Sequence, residues 1–187
     1  MASFSTNISS LVEYKLYLCI DNNDDGYLKK KYEEYIHDRI SSNCTDSGFD
    51  LFLPEKVEYV SGKYTKFGHK IKCKMVAIVN GQEFATGYLL HPRSSTAMKY
   101  NLIMGNSTGV IDQDYRGEII ACMFSNLTLV NLESLRQSGT LETKHTLEEG
   151  TRIVQICAPN YRPFKVEIVD DLDTTSRGAG GFGSTGH

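Results

Sequence analysis

The chain has 187 residues, enough for one domain with a hydrophobic core, and it carries a formal net charge of −3. Because no excess of positive charge is present, we expect no nucleic-acid partner, and an anionic ligand would need local donors or a metal ion. The N-terminus lacks the basic start and apolar run of a secretion signal, and no segment approaches the roughly 20 apolar residues of a membrane span.

The cysteines indicate the compartment. They are odd in number and no two form a Cys-x-x-Cys pair: Cys19, Cys44, Cys73, Cys122 and Cys157. This pattern favours free thiols in a reducing environment over a disulfide framework or a zinc site. We therefore expect an intracellular protein, cytoplasmic or nuclear, with no membrane partner.

The first elements along the chain are a strand and a helix. Tyr14–Ile20 has the composition of a strand. Apolar and aromatic side chains then recur at helical spacing and predict an amphipathic helix that lies on the rest of the fold: Tyr27, Leu28, Tyr32, Tyr35, Ile36 and Ile40. Asp21–Gly26, between the two, imitates the start of a calcium loop. Calcium binding is disfavoured, because Tyr32 stands at position 12, where the motif requires a bidentate Glu.

From about residue 50 onward the pattern is one of short strands separated by turns, typical of an all-β sandwich or barrel. Turns are predicted at Asn80-Gly81, Gly105-Asn106 and Glu149-Gly150. Asn131–Gln137 could form a second, short helix within a surface loop at 126–144. The predicted strands are Val57–Val60, Lys70–Val79, Glu83–Leu90, Tyr100–Met104, Val110–Asp112, Glu118–Phe124, Arg152–Ala158 and Lys165–Val169.

The C-terminal twelve residues, 176–187, are too rich in glycine to belong to a core. They form either a disordered tail or an arm that orders on a ligand. Gly178–Gly183 matches G-x-G-x-x-G, but no helix or βαβ unit follows, so a dinucleotide-binding fold is excluded.

Residues 105–118 are the most informative segment. A Gly-Asn turn tolerates the backbone of a tight hairpin, and it precedes the carboxylates Asp112 and Asp114 and the ring of Tyr115. A carboxylate and an aromatic ring this close suggest a site for a planar, polar molecule. A surface hairpin with solvated acids is the structural alternative.

Four further segments carry groups suited to phosphate and its counterions. Asp50 follows a flexible Gly, Gln155 lies on a strand after Arg152, and Arg93 precedes two hydroxyls. Each residue alone could be a surface ion pair, a turn residue or an ordinary strand residue. The candidate binding residues of these segments are Arg93, Ser94 and Ser95, and, in the C-terminal arm, Arg177, the ring of Phe182, Gly183, Ser184 and Thr185.

In this order, the five segments resemble the five motifs of the homotrimeric dUTPase family, and the resemblance covers residues 47–186. GVIDQDYRGE and RGAGGFGSTG are the most specific matches. The resemblance implies an all-β, jelly-roll-like β-barrel at 47–175, with an extended loop near 126–144. A strand and amphipathic helix at 1–46 and a lid arm at 176–187 would be added to it. It also implies a homotrimer with shared active sites.

The resemblance implies a role for each motif in hydrolysing dUTP to dUMP and pyrophosphate. Asp112 would orient and deprotonate the attacking water, while Asp50 and Gln155 would act through water and phosphate contacts. Mg²⁺ would be held by the triphosphate and water rather than directly by the protein. Tyr115 would lie under the deoxyribose and reject UTP. Uracil would contact Asn106, Gly109, Val110 and Ile111. Phe182 would cover it, and the phosphates would contact Arg93, Ser94, Ser95, Arg177, Gly183, Ser184 and Thr185.

Two alternatives remain open. A dCTP deaminase-like enzyme would act on the base and release ammonia, although Asp112, Tyr115 and the arm fit the hydrolase pattern better. A non-catalytic nucleotide-sensing module would bind the nucleotide without turnover.

Overall fold

The computed structural model describes residues 12–21, 26–139 and 142–181. Within these ranges the chain forms thirteen strands and three helices. The helices are α1 Tyr27–Ser41, α2 Thr96–Tyr100 and α3 Leu129–Ser138. The strands are β1 Glu13–Ile20, β2 Gly48–Phe52, β3 Val57–Val60, β4 Tyr64–Gly68, β5 Ile71–Val79, β6 Gln82–Thr86, β7 Tyr88–Pro92, β8 Leu102–Met104, β9 Gly109–Ile111, β10 Ile120–Ser125, β11 Lys144–Leu147, β12 Arg152–Cys157 and β13 Lys165–Val169.

The strands form four sheets that share one hydrophobic core. Their orders are β13-β1-β5-β6, β4-β10-β8, β11-β3 and β2-β12-β7-β9. Side chains from all four sheets meet in one buried cluster, with Leu16, Phe67, Tyr59 and Phe49 among its members. The predicted all-β, jelly-roll-like fold is thereby confirmed. No helix in the described parts of the chain is both long and apolar enough to cross a membrane.

The alternating pattern of β5 is confirmed by its burial. Ile71, Cys73 and Met75 are buried, and Lys72 and Lys74 lie on the other face. Strand β1 pairs with β5 in antiparallel and with β13 in parallel orientation. The first and last strands of the barrel are therefore neighbours in one sheet, and the arm leaves from beside β1.

Helix α1 has the predicted position and packs on β2. Leu28 and Tyr32 are fully buried, and the Tyr32 ring lies 5.9 Å from that of Phe49. The buried Tyr32 hydroxyl accepts a hydrogen bond of 3.1 Å from the Phe52 amide. Ile40 is 74% exposed, so the C-terminal end of the apolar stripe is not covered within the described chain.

Two predicted strands are wrong in their extent. Glu83–Leu90 is two strands, because the chain leaves the β5 sheet after β6 and joins β12 and β9 as β7. Gly87 lies at the crossing, where a Cβ would approach the Ile111 carbonyl oxygen to 2.9 Å. In the predicted strand Tyr100–Met104, helix α2 extends to Tyr100, and Asn101 (φ 54°) ends it before β8 begins.

Three strands were not predicted, namely β2, β4 and β11. Conversely, α3 confirms the short helix at Asn131–Gln137 and occupies part of the segment predicted as a surface loop. The Asn80-Gly81 turn is confirmed, with left-handed φ values of 51° and 77° that suit a two-residue hairpin.

Candidate active site

Strand β9 holds the hairpin of residues 105–112 against the barrel. Gly109 pairs with Leu90 of β7, where a Cβ would lie 3.1 Å from that of Leu90. The predicted turn at Gly105-Asn106 is confirmed, and the residue with a left-handed φ is Ser107 (φ 59°), which follows it. Gly105 also provides space, because a Cβ there would lie 2.8 Å from the ring of Tyr64.

A cavity of about 180 Å³ lies beside this hairpin. At about 30 Å³ per water, the volume corresponds to about six waters, or one small ring. Seven of the predicted site residues line the cavity: Asn106, Gly109, Val110, Ile111, Asp112, Tyr115 and Arg177. The sequence did not indicate the rest of the lining, which is mostly apolar and comes from neighbouring strands: Leu90, Met104, Glu118, Ile119, Ile120, Cys122 and Gly181.

Tyr115 presents a fixed, neutral ring at this cavity. Its hydroxyl donates a hydrogen bond of 2.8 Å to the Glu118 carbonyl oxygen. Burial, reinforced by Glu118, raises the pKa of the Tyr115 phenol, and the nearby Arg177 opposes that shift. The phenol therefore stays protonated at neutral pH and keeps the ring in one orientation.

Arg177 brings the start of the C-terminal arm to Asp112. Its guanidinium forms an ion pair with the Asp112 carboxylate and lies 5.8 Å from the centre of the Tyr115 ring. The Arg116 amide donates a hydrogen bond of 2.8 Å to the Gly178 carbonyl oxygen. The arm is therefore docked on the hairpin of its own chain up to Gly181. The predicted site residues Phe182, Gly183, Ser184 and Thr185 lie outside the described residues.

A second cluster surrounds Asp50 on the β2-β12-β7 part of the sheet. The Asp50 Oδ1 atom lies 2.8 Å from the Arg93 Nε, and Oδ2 lies 3.2 Å from an Arg152 guanidinium nitrogen. Burial raises the pKa of the Asp50 carboxyl, while the two arginines act in the opposite direction. Their proximity keeps this largely buried group paired with positive charge.

Gln155 lies opposite Asp50 across the β2/β12 pair, so the two predicted residues are brought together. Its side chain occupies the space beside Gly48, where a Cβ would lie only 1.8 Å from the Gln155 Oε1. Ser94 and Ser95 follow Arg93 in the link from β7 to α2, and Ser94 is exposed. This Asp50 cluster comprises Asp50, Arg93, Ser94, Ser95, Arg152 and Gln155.

Within one chain the Asp50 cluster and the Asp112 cavity lie at two separate places on the sheet. In the strand register, Asp50 of β2 lies opposite Gln155 of β12, and Gln155 lies opposite His91 of β7. Ile111 of β9, next to Asp112, lies opposite Tyr88 of β7. The two carboxylates are thus about four residues apart along the strands and three strand spacings apart across the sheet. These intervals correspond to about 20 Å. The Asp50 cluster and the Asp112 cavity therefore lie apart within one chain.

The carboxylates do not form a metal cage in the described part of the chain. No cluster of three or more His, Cys, Asp or Glu side chains there is arranged to hold a metal ion. Both Asp50 oxygens already face arginines. An ion bound beside this donor set would have to keep its own waters, as Mg²⁺ commonly does.

Known proteins are similar to this chain. A family model described as dUTPase matches residues 34–135, more than half of the chain. A crystal structure of dUTPase from Streptococcus mutans aligns with 59% of this chain and 75% of its own, at 28% identity and a TM-score of 0.41. The deoxyuridine 5'-triphosphate nucleotidohydrolase of Corynebacterium diphtheriae is 38% identical over 146 residues, 75% of this chain and 80% of the relative. The protein of the same name from Crocosphaera subtropica is 36% identical over 154 residues, 82% and 89% of the two chains. By the family model and these two sequence relatives, the chain belongs to the dUTPase family of nucleotide hydrolases.

Proposed function

We propose that this protein hydrolyses dUTP to dUMP and pyrophosphate in a Mg²⁺-dependent reaction, at sites shared between the subunits of a homotrimer. The observation that carries the proposal is the ring-sized cavity beside β9, whose lining includes both Asp112 and Tyr115. Such a cavity can hold a pyrimidine while a carboxylate stands close to the group attached to it.

The cavity suits uracil by size and polarity. Its apolar walls, among them Leu90 and Met104, would contact the faces and edge of the ring. The backbone around Asn106–Val110, together with Ile111, would pair with the polar edge of the base. Cytosine presents a different donor pattern there, and thymine adds a methyl group that a close-packed wall excludes. The fixed Tyr115 ring would lie under the deoxyribose and leave no space for a 2′-hydroxyl.

Asp112 would orient a water molecule and accept its proton as the water oxygen bonds to the α-phosphorus. The bond from that phosphorus to the α–β bridging oxygen breaks, and pyrophosphate leaves with the bonding electrons. Ser94, Ser95 and Arg93 would stabilise the negative charge near the bridging oxygen. Asp50 and Gln155 would act through water and phosphate contacts. Arg177, Gly183, Ser184 and Thr185 would bind the outer phosphates, and Phe182 would cover the base.

Mg²⁺ would be held by phosphate oxygens and water, with Asp50 reached through water. When bound, it supplies neutralisation of the triphosphate charge. The proposal needs no direct ligand from Asp50, which agrees with the pairing of both Asp50 oxygens to arginines.

The homotrimer is supported by the distance between the Asp50 cluster and the Asp112 cavity within one chain. If one chain supplies the Asp112 cavity and another the Asp50 cluster, one nucleotide can reach both. A closed ring of three chains repeats this contact three times and gives three equivalent sites.

Pyrophosphate release from dUTP, UTP, dCTP and dTTP, with and without Mg²⁺, tests the reaction. We expect pyrophosphate release from dUTP and not from the other three nucleotides, and only when Mg²⁺ is present. Ammonia release from dCTP would contradict the proposal in favour of a deaminase. Tight dUTP binding without any product would contradict it in favour of a sensing module.

Replacing the proposed base tests the mechanism. Asp112→Asn keeps the shape of the side chain but removes its ability to accept a proton. We expect kcat to fall by at least about a hundredfold, as for loss of a general base, while the Kd for dUTP changes little. Single-turnover assays and calorimetric titration with dUTP measure the two quantities. A kcat close to that of the wild type would assign the base elsewhere.

A further inference from the structure

Arg116 carries a buried guanidinium that the proposed reaction does not use. Its side chain is 9% exposed, and its Nη1 atom donates hydrogen bonds of 2.8 and 2.9 Å to the carbonyl oxygens of Gln113 and Tyr115. Both carbonyls belong to the turn from Asp112 to Tyr115, which a hydrogen bond of 3.1 Å between the Tyr115 amide and the Asp112 carbonyl oxygen closes. Arg116 therefore holds the turn that carries two residues of the cavity.

The carboxylate that pairs with this guanidinium lies just before the C-terminal arm. The Asp173 Oδ1 atom lies 3.0 Å from the Arg116 Nε, and Oδ2 lies 3.0 Å from the Lys74 Nζ on β5. The hydrogen bond from Arg116, supported by Lys74, lowers the pKa of the Asp173 carboxyl, while partial burial opposes that shift. A buried guanidinium needs a paired charge. Asp173 supplies that charge and joins the chain before the arm to the turn.

Thr175 makes a second link to the same turn. Its hydroxyl donates a hydrogen bond to the Asp114 carbonyl oxygen and accepts one of 3.1 Å from the Gly178 amide. The Gly178 carbonyl oxygen accepts a hydrogen bond from the Arg116 amide. We call residues 173–178 the arm base. It is held on the turn at Asp173, Thr175 and Gly178.

The arm base sets the point from which the rest of the arm starts. Arg177 lies within the base and contacts Asp112 and the Tyr115 ring, and residues 182–185, which we propose to bind the nucleotide, follow in the sequence. A segment that is fixed at its start has less conformational freedom to lose when it binds a ligand. The benefit applies to the groups that the arm binds, which are the outer phosphates, and not to the base and sugar in the cavity.

We propose that Asp173 is a positioning residue, which fixes the arm base through Arg116 so that the arm can bind the outer phosphates. The inference rests on the proposed function, because it assumes that the arm binds those phosphates. Asp173 itself would not contact the nucleotide, since its two oxygens face Arg116 and Lys74.

Asp173→Asn tests this role by a comparison of two ligands. Calorimetric titration with Mg²⁺ present measures the Kd of dUMP and of a dUTP analogue in which NH replaces the α–β bridging oxygen and prevents turnover. We expect the Kd of the analogue to rise at least about tenfold. The Kd of dUMP, which lacks the outer phosphates, should be unchanged. A role confined to the turn of Asp112 and Tyr115, or to general stability, would weaken the binding of both ligands.

Asp171→Asn is the matched control. Asp171 is exposed, and its carboxylate accepts a hydrogen bond of 2.8 Å from the Leu172 amide, which the asparagine oxygen can also accept. The substitution removes the same charge two residues away, so both Kd values should remain those of the wild type. A folded Asp173→Asn protein with a wild-type Kd for the analogue, or with equal losses for both ligands, overturns the inference.

Thr175→Val decides should Asp173→Asn fail to fold. It removes the hydroxyl that links the arm base to Asp114 and keeps the shape of the side chain. The Kd of the analogue should rise and that of dUMP should not. A folded Thr175→Val protein that binds both ligands like the wild type would overturn the role of the arm base.

The two proposals can fail separately. Weaker binding of the analogue by Asp173→Asn, together with no pyrophosphate release from dUTP by the wild type, would support the positioning role and overturn the reaction. Pyrophosphate release by the wild type, together with unchanged binding of the analogue by Asp173→Asn, would leave the reaction standing and overturn the positioning role.

Discussion

His69 is a fully buried imidazole that links the stability of the barrel to pH. Its Nδ1 lies 3.0 Å from the Phe52 carbonyl oxygen, so this nitrogen carries the hydrogen. The Nε2 has no hydrogen-bond partner in the described parts of the chain. Burial lowers the pKa of His69 from 6.5 to about 4, and the bond to Phe52 opposes only part of that shift. Folding therefore favours the neutral ring.

We predict that protonation of His69 contributes to acid unfolding. The folded-state pKa is lower than the unfolded one, so the stabilisation is present above about pH 6.5 and is lost as the pH falls toward 4. The loss amounts to about 3 kcal/mol of unfolding free energy. His69→Asn keeps a donor for Phe52 and cannot be protonated, so its urea-unfolding free energy should depend less on pH over this range. His37→Asn, at an exposed position of α1, should retain the wild-type pH dependence, and equal slopes for all three proteins would contradict the prediction.

At the residue scale, the sequence predicts which residues belong to the candidate site better than it predicts which side chains surround them. Asp50 and Gln155 were predicted as site residues, and the structure brings them together across β2 and β12. The two arginines that neutralise Asp50 depend on strand register, which a motif does not contain. The left-handed Ser107 was missed for a related reason: Gly105, two residues before it, is the more obvious turn residue, but its φ is not left-handed.

At the scale of elements, the long periodic segments were predictable, whereas several of the short ones were not. Helix α1 repeats its apolar spacing over four turns, and β5 alternates over nine residues, so both are evident in the sequence. Strands β2, β4 and β11 have only four or five residues each. They form because neighbouring strands satisfy their backbone groups, and that pairing is a property of the tertiary fold.

One buried hydroxyl, that of Tyr32, contributes to the attachment of α1. Tyr32→Phe would leave the buried Phe52 amide without an acceptor, which costs about 1–3 kcal/mol of unfolding free energy. Urea denaturation measures this loss. Tyr161→Phe makes the same chemical change at an exposed position and should stay within about 0.5 kcal/mol of the wild type. Equal effects of the two substitutions would mean that the Tyr32 hydroxyl does not anchor the helix.

In the C-terminal arm, the residues that contact the hairpin precede the residues that we propose to bind the nucleotide. A chain that stops after Gly181 keeps the contacts of Arg177 and Gly178 with the hairpin but lacks the proposed ligands Phe182, Gly183, Ser184 and Thr185. We expect kcat/KM for dUTP to fall by at least about a hundredfold while the melting temperature is unchanged. A truncated protein with kcat/KM near the wild-type value would remove the last six residues from the site.

At the scale of the whole molecule, the resemblance predicts sites shared between chains, and that stays a prediction. The spacing of the five motifs along the chain does not itself show which of them lie together in one chain. The order of strands in the β2-β12-β7-β9 sheet separates Asp50 from Asp112. That order arises from non-local pairing, and periodicity or spacing in the sequence does not reveal it.

Mixing two inactive variants tests this prediction directly. Asp112→Asn removes the proposed base, and Asp50→Asn removes the charge between Arg93 and Arg152, whose partial exposure lets water solvate them. If each site takes Asp112 and Asp50 from different chains, a random one-to-one mixture contains both wild-type carboxylates in about a quarter of its sites. Co-refolding the variants should therefore restore about a quarter of wild-type pyrophosphate release, whereas refolding either variant alone should restore none. A mixture that stays inactive although its trimers contain both chains would mean that each chain completes its own site, so the barrel would have to rearrange on binding nucleotide.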